Sequence, residues 1–330
     1  MSWMQCRTIR KALSIPMVLS NYLTASRKHH SNGVAIFMYH GIANYPLDVS
    51  NWCLLDVKEF ERQAQFISDH YCVLHLQDAL TRLNNGKPLP PNAACITFDD
   101  GFRSVATRAF PILDRYQLPA TVFLVAGFVG SRQPAWPDQL YFNISKTVKN
   151  EITFKGNRYQ LQSPLEKAVT FTFLVAKLKE LPNVECDNAM NQLSSDLGHF
   201  KVPEDAEMAS LTWDEIKLLL DSKLMTFGSH TLTHPILSNC SLEVQREELE
   251  NSRNILIEHG LPHQLFAYPN GRAVDFTKKT KRLLYELGYI CGLSTISGIN
   301  RRGEDRYALK RICVGDTTTV PDFESMAIAF

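Results

Sequence analysis

The chain has 330 residues, enough for one large domain or two ordinary ones with a full buried core. Hydrophobic residues make up 45% and charged residues 21%, the balance of a soluble globular enzyme, and a net charge of +1 leaves no basic footprint for nucleic acid. The eight cysteines (Cys6, Cys53, Cys72, Cys95, Cys186, Cys240, Cys291 and Cys313) include no Cys-x-x-Cys pair, so they read as free thiols, which fits a reducing compartment.

The N-terminal stretch "RTIRKALSIPMVLSNYLTAS" has basic residues, a short apolar run and then small residues, the outline of a signal peptide. The run is broken by Ser14, Pro16 and Ser20-Asn21 and is too short to span a bilayer. Residues 1–33 are therefore expected to be an extension at the surface or peripheral to a membrane, in the cytoplasm, with a secreted or periplasmic protein as the alternative.

From residue 34 short apolar runs alternate with helical periodicity, the pattern of an α/β fold with parallel strands. "GVAIFMY" is a strand ending at His40-Gly41. "DVKEFERQAQFISDHY" follows an Asp N-cap with apolar residues at Val57, Phe60, Ala64 and Ile67, hence a helix. "AACITF" is a strand that runs into Asp99-Asp100. "VATRAFPILDRY" gives a helix and "PATVFLV" a strand. The rhythm stops from about 138 to 210, where "SPLEKAVTFTFLVAKLKELP" and "CDNAMNQLSSDLG" read as helices of an insertion. It resumes with the capped helix "LTWDEIKLLLDSK" and the strand "LMTFGSH" reaching His230. Then come the helix "SLEVQREELENSRNILIEHG", with Ser cap and Gly stop, the strand and turn "QLFAYPNG", the helix "KKTKRLLYELG" and the strand "YICGLST". Residues 34–330 are thus expected to be one catalytic domain carrying the insertion.

Four features fall at or just past strand ends: His40, Asp99-Asp100, His230 with His234, and Tyr268-Pro269-Asn270-Gly271. In barrels and open α/β sheets that edge carries the active site. The histidines of "SHTLTHP" stand at i and i+4, which on a helical turn points both imidazoles one way and suits Zn²⁺. No Glu lies between them, so this is not a His-Glu-x-x-His helix. Two histidines and one carboxylate leave open positions on a cation, as catalytic zinc sites do. One aspartate of the pair can then be the third ligand while its neighbour acts as base on a bound water. Adjacent carboxylates repel, and a divalent cation offsets that cost.

"TFDDGF", "SHTLTHP" and "FAYPNG" resemble the first three motifs of the NodB-homology polysaccharide deacetylases, carbohydrate esterase family four. "FMYHGI", "LTWDEIKLL" and "ALKRICV" are similar to the branch with exopolysaccharide N-deacetylases. The resemblance runs from about Ala35 to Phe323. It implies a deformed (β/α) barrel and a metal-dependent deacetylase, most simply with Zn²⁺, acting on the N-acetyl group of an amino sugar in a polysaccharide or glycan precursor. Carried over, it makes Asp99 the base, Asp100, His230 and His234 the metal ligands, and Thr231 and Thr233 the shapers of the metal loop. It makes the Asn270 N–H an oxyanion donor, with Tyr268 and Pro269 beside it. The family's motif-three Arg, which orients the base, is replaced here by Ala267, and its C-terminal Leu-x-x-His is absent, since no histidine follows His263. In the resembled branch the strand order is circularly permuted and the "YHG" histidine, here His40, takes the role of acid. Trp136 and Phe102 are candidates for stacking on sugar rings, and Asp138 either contacts substrate or caps the helix after it. Two other readings stand beside this one: a hydrolase of small non-sugar amides on the same fold, and a carbohydrate-binding protein with weak turnover.

Overall fold

A computed structural model of the protein describes residues 33–44, 47, 49–131, 135–203 and 206–328. The expected extension at 1–33 lies outside these, apart from Gly33. The chain opens with β1 (Gly33–Tyr39), β2 (Gly41–Ala43), β3 (Leu54–Asp56) and α1 (Val57–His70). Asp56 caps α1 by accepting from the Lys58 and Glu59 amides, as its sequence predicts. β4 (Cys72–Val73), α2 (Leu76–Asn84) and β5 (Ala93–Phe98) follow, and then α3 (Phe110–Arg115) and β6 (Ala120–Leu124). The helix expected from Val105 begins instead as a π-turn over Val105–Ala109. Pro111 has no N–H for an i→i−4 bond there.

β1, β5 and β6 are buried throughout, the signature of parallel strands covered on both faces. β1 pairs in parallel with β5 and β5 with β6, and β6 pairs with β9 (Met225–Ser229). Single parallel bridges carry the ring onward from Ser229 to Phe266, from Ala267 to Leu293 and from Leu293 to Leu309. β10 (Asn300–Arg301) pairs antiparallel with β1, and β11 (Ile312–Cys313) returns in parallel to β1. The pairings thus lead from β1 back to β1, a deformed barrel. The strands read from "QLFAYPNG" and "YICGLST" are isolated bridges, because regular pairing does not persist there.

The barrel strands sort their side chains by parity, as period-two backbone requires. Ala35, Phe37 and Tyr39 pack outward with Phe60, Ala64 and Ile67 of α1. Val34, Ile36, Cys95, Phe123, Ala267, Leu293 and Leu309 form a separate core. Stepping along that second set by twos leads to His40 just past β1, Asp99 just past β5 and Arg311 just before β11.

The region expected to be a helical insertion holds α4 (Trp136–Lys146), α5 (Pro164–Leu178) and α6 (Asn183–Leu197). It also holds an antiparallel hairpin, β7 (Glu151–Phe154) with β8 (Asn157–Gln160), which a purely helical reading missed. Its signal is the pair Lys155-Gly156, both with positive φ (48° and 79°), directly after the alternating Ile152 and Phe154. These elements bury a core of their own, with Leu140, Ile144, Phe154, Phe171, Leu174 and Leu193, that also takes in Phe102 and Leu54. Phe102 is 3% exposed, so it packs here and does not stack on a ligand. α7 (Trp213–Asp221) starts with a Thr212/Glu215 capping box, α8 (Leu242–Glu258) with Ser241, and α9 (Lys278–Glu286) with Thr277. The last helix is α10 (Val320–Ile328). No helix among the described residues is long and apolar enough to cross a membrane.

Candidate metal centre and catalytic cleft

β5 delivers the aspartate pair to the C-terminal edge of the barrel. The Asp99 amide donates to the Tyr39 carbonyl (2.9 Å), which continues the β1–β5 pairing by one residue. Asp100 and Gly101 then both take positive φ (70° and 71°), and the chain turns sharply. A Cβ on Gly101 would lie 2.9 Å from Leu124 Cδ2, so this turn admits glycine on two counts. The turn sends the two carboxylates to different partners.

Asp99, 2% exposed, meets the fully buried Arg311 in a two-pronged ion pair: Nη1 donates to Oδ1 at 2.8 Å and Nη2 to Oδ2 at 2.7 Å. Arg311 Nε is itself spent on the Ser294 carbonyl at 2.8 Å, which fixes the guanidinium plane. Burial pushes the Asp99 carboxyl up, but Arg311 and the neighbouring His230 outweigh it and hold it below its ordinary range. Arg311 therefore places a guanidinium on Asp99, the residue expected to be the base, where Ala267 cannot. Sequence reasoning missed it.

Asp100 Oδ1 is buried and accepts no hydrogen bond. It faces two ring nitrogens, His230 Nε2 at 3.3 Å and His234 Nε2 at 3.2 Å. His230 Nδ1 donates to the Ala267 carbonyl at 2.8 Å; a carbonyl only accepts, so Nδ1 carries a proton and Nε2 is the nitrogen turned to Asp100. The i, i+4 histidines do not lie on the helical turn that their spacing would suit. Residues 230–234 are a loop, and positive φ at Thr231 (68°) and His234 (65°) brings the rings to 4.9 Å between centroids.

That loop is clasped by two residues. Thr231 Oγ1 accepts from the His234 amide (3.0 Å). Glu248 of α8 accepts from the Leu232 and Thr233 amides (2.8 and 2.9 Å) and from Thr233 Oγ1 (2.6 Å). Nothing in "REELENSR" marks Glu248 for this task.

The electrostatics of the centre ask for a cation. Burial pushes the Asp100 carboxyl up, but the two imidazoles outweigh it and hold it well below the usual range. Burial pushes His230 down, yet Asp99 and Asp100 overcome that and raise it. Two imidazole nitrogens and one unsatisfied carboxylate oxygen lie within 4.8 Å of one another. Such a His₂–carboxylate set fits a divalent ion of Zn²⁺ type.

His40 follows β1 on the same edge. Its Nδ1 is buried without a hydrogen-bond partner, and its ring meets Trp52 edge-on at 5.0 Å. Burial lowers its pKa below the ordinary histidine value, against the pull of Asp100 and Asp99.

The third motif divides. Asn270 has φ 58° and its side chain is pinned, Nδ2 to Asp275 Oδ2 and Oδ1 to Lys179 Nζ, both at 2.6 Å. Its amide N–H has no hydrogen-bond partner among the described residues. Pro269 shapes the turn, its carbonyl accepting from Gly271 N at 2.6 Å. Tyr268, expected near substrate, is instead a core residue: it is 1% exposed, stacks on Phe276 at 4.0 Å and donates its hydroxyl to the Tyr307 carbonyl. Parity explains this, since Ala267 faces the lumen and its neighbour must face away.

The insertion supplies one wall. Trp136, Leu178, Lys179 and Asp187 line a cleft together with His234 and Asn239. Asp138 is 7% exposed in the first turn of α4, close enough to Asp100 that burial and that charge raise its carboxyl well above the usual range. It does not cap the helix, because Ala135 holds that position.

A parallel α/β barrel with two histidines and two aspartates converging on its C-terminal edge defines a hydrolase centre. Residues 86–291 match the family model described as polysaccharide deacetylase. The chain belongs to that family and is a hydrolase of the deacetylase class. It is 22% identical over 283 residues to the putative polysaccharide deacetylase YxkH of Bacillus subtilis, covering 84% of this chain and 70% of that protein. It is 28% identical over 138 residues to the poly-β-1,6-N-acetyl-D-glucosamine N-deacetylase of Escherichia coli K12, which is 41% of this chain but only 20% of that protein's length. Among solved structures, the Streptococcus pyogenes deacetylase PplD in complex with acetate shares the fold at a TM-score of 0.61 and 20% identity, with 90% and 99% of the two chains covered. IcaB from Ammonifex degensii does so at 0.60 and 20%, over 90% and 97%. The family match contains the aspartate pair and both histidines of the 230–234 loop but ends before Arg311 and begins after His40. The fold alone brings those two residues to the site.

Proposed function

We propose that the protein is a metal-dependent N-deacetylase that removes acetate from an N-acetylated amino sugar in a polysaccharide or glycan precursor. The observation that carries this is the unlike pairing of neighbouring carboxylates, Asp99 on Arg311 and Asp100 on the two imidazoles. Asp100, His230 and His234 would hold the ion, which supplies Lewis-acid activation of water and of the acetyl carbonyl. Asp99, held anionic by Arg311, accepts the proton of the attacking water. The free N–H of Asn270 donates to the developing oxyanion. His40 gives a proton to the leaving nitrogen, without which an amine anion would have to depart. Trp136 and Asp138, on the insertion side, contact the sugar. The names of the Escherichia coli and Ammonifex relatives support an N-acetylglucosamine polymer as the substrate class. Acetate release from N-acetylglucosamine oligomers, and none from cyclic ureides, is the expected result. The reverse preference overturns the proposal in favour of a small-amide hydrolase.

A further inference from the structure

A second group of ligand atoms lies beside the first. His40, Cys53 and Asp100 each offer one within 4.8 Å of the others, and the two groups share Asp100 alone. The backbone fixes this juxtaposition: Gly41 N donates to the Cys53 carbonyl at 2.8 Å, and β2 pairs with β3 in the register Gly41↔Leu54. A Cβ on Gly41 would lie 2.5 Å from Leu54 Cδ2, so the closeness of the two segments depends on the glycine. His40 Nδ1 is buried without a partner, and Cys53 is a free thiol. Asp138 adds a carboxyl, 7% exposed and also without a side-chain partner, near enough to act electrostatically on both Cys53 and Asp100. The opposing charge acting on Cys53 is Lys179.

Thiol, imidazole and carboxylate together suit a borderline-soft divalent ion such as Zn²⁺, Co²⁺ or Cd²⁺. We infer that His40, Cys53 and Asp100 form a second, weaker cation site, with Asp100 bridging the two ions, and that filling it inhibits the enzyme. Binding releases the thiol proton to solvent and leaves a thiolate ligand. The same ion occupies the His40 lone pair, so the proton donor for the leaving nitrogen is lost. The inhibition, though not the binding, rests on the reading of His40 as that donor.

Stepwise Co²⁺ addition to the metal-stripped protein tests this through absorption. The first equivalent gives no thiolate-to-cobalt charge-transfer band and full turnover. The second brings the band, and turnover falls by about 10²-fold, the usual scale for loss of a general acid. Cys53→Ser and Cys53→Ala both keep the first equivalent and its turnover, and lose the band and the inhibition. If both variants fold poorly, protection of Cys53 in the unaltered protein from alkylation, by the second equivalent only, gives the same answer. A band rising with the first equivalent, a single equivalent in total, or inhibition unchanged in the Cys53 variants overturns the inference. Failure of one-equivalent protein to release acetate would instead count against the proposed function, with the thiolate band still readable.

Discussion

Arg311 grips Asp99 with both guanidinium nitrogens from 212 positions away in the chain, and neither residue is exposed to solvent. Removing one partner of such a pair leaves a buried charge uncompensated, which costs about 3–5 kcal/mol. Arg311→Met is therefore expected to lower the urea midpoint markedly. With Arg311 gone, burial of Asp99 is opposed only by His230 and His40, so its carboxyl rises and the acid limb of the pH–rate profile moves to higher pH. Arg311→Lys keeps the charge but loses the fork, and falls between the two. An unchanged acid limb in Arg311→Met would remove Arg311 from the account of the base.

The same pair makes stability depend on pH. Asp99 has a folded-state pKa below its unfolded value, so its contribution is fully present above about pH 4, the unfolded carboxyl range, and is lost as pH falls through the folded value. Denaturation midpoints followed downward from pH 6 should show this loss in the unaltered protein and a smaller one in Asp99→Asn.

Asp99→Asn should keep the bound ion and lose about 10²–10⁴-fold in turnover, because an amide cannot accept the water proton. If this variant instead lost its metal, Asp99 and Asp100 would exchange roles.

His40→Asn should preserve fold and the first metal equivalent while turnover drops at least about 10²-fold. Near-normal turnover would mean that another group protonates the leaving nitrogen.

Glu248 holds the loop between the two histidines and is not one of the candidate ligands. Glu248→Ala orphans the Leu232 and Thr233 amides, and metal affinity should weaken by about 10–100-fold, the usual effect of losing such support. Competition with a chromogenic chelator measures it.

How much of this the sequence disclosed depends on how local each feature is. The aspartate turn, the convergence of the two histidines and most helix caps are written in residues a few positions apart, and they were legible, though not the loop conformation that carries the histidines. Arg311 was not: in "ALKRICV" it looks like half of a surface Lys-Arg pair, and only the ring closure through Leu309 and β11 turns it inward. Its one signal is parity, two residues beyond an apolar lumen position. Tyr268 failed for the same reason in reverse. It sits in a functional motif, yet parity points its ring to the core. The hairpin β7–β8 was readable from Lys155-Gly156 and the alternation beside it, but the long amphipathic helices around it dominated the pattern.

The most direct test of the central claim is metal dependence at the Asp100–His230–His234 centre, read as acetate released from N-acetylglucosamine oligomers alongside metal content. The account predicts that chelation abolishes release, that one equivalent of Zn²⁺ restores it, and that His230→Ala neither retains the ion nor regains activity. Full release from rigorously metal-free protein, or one tightly bound equivalent in His230→Ala, would contradict it.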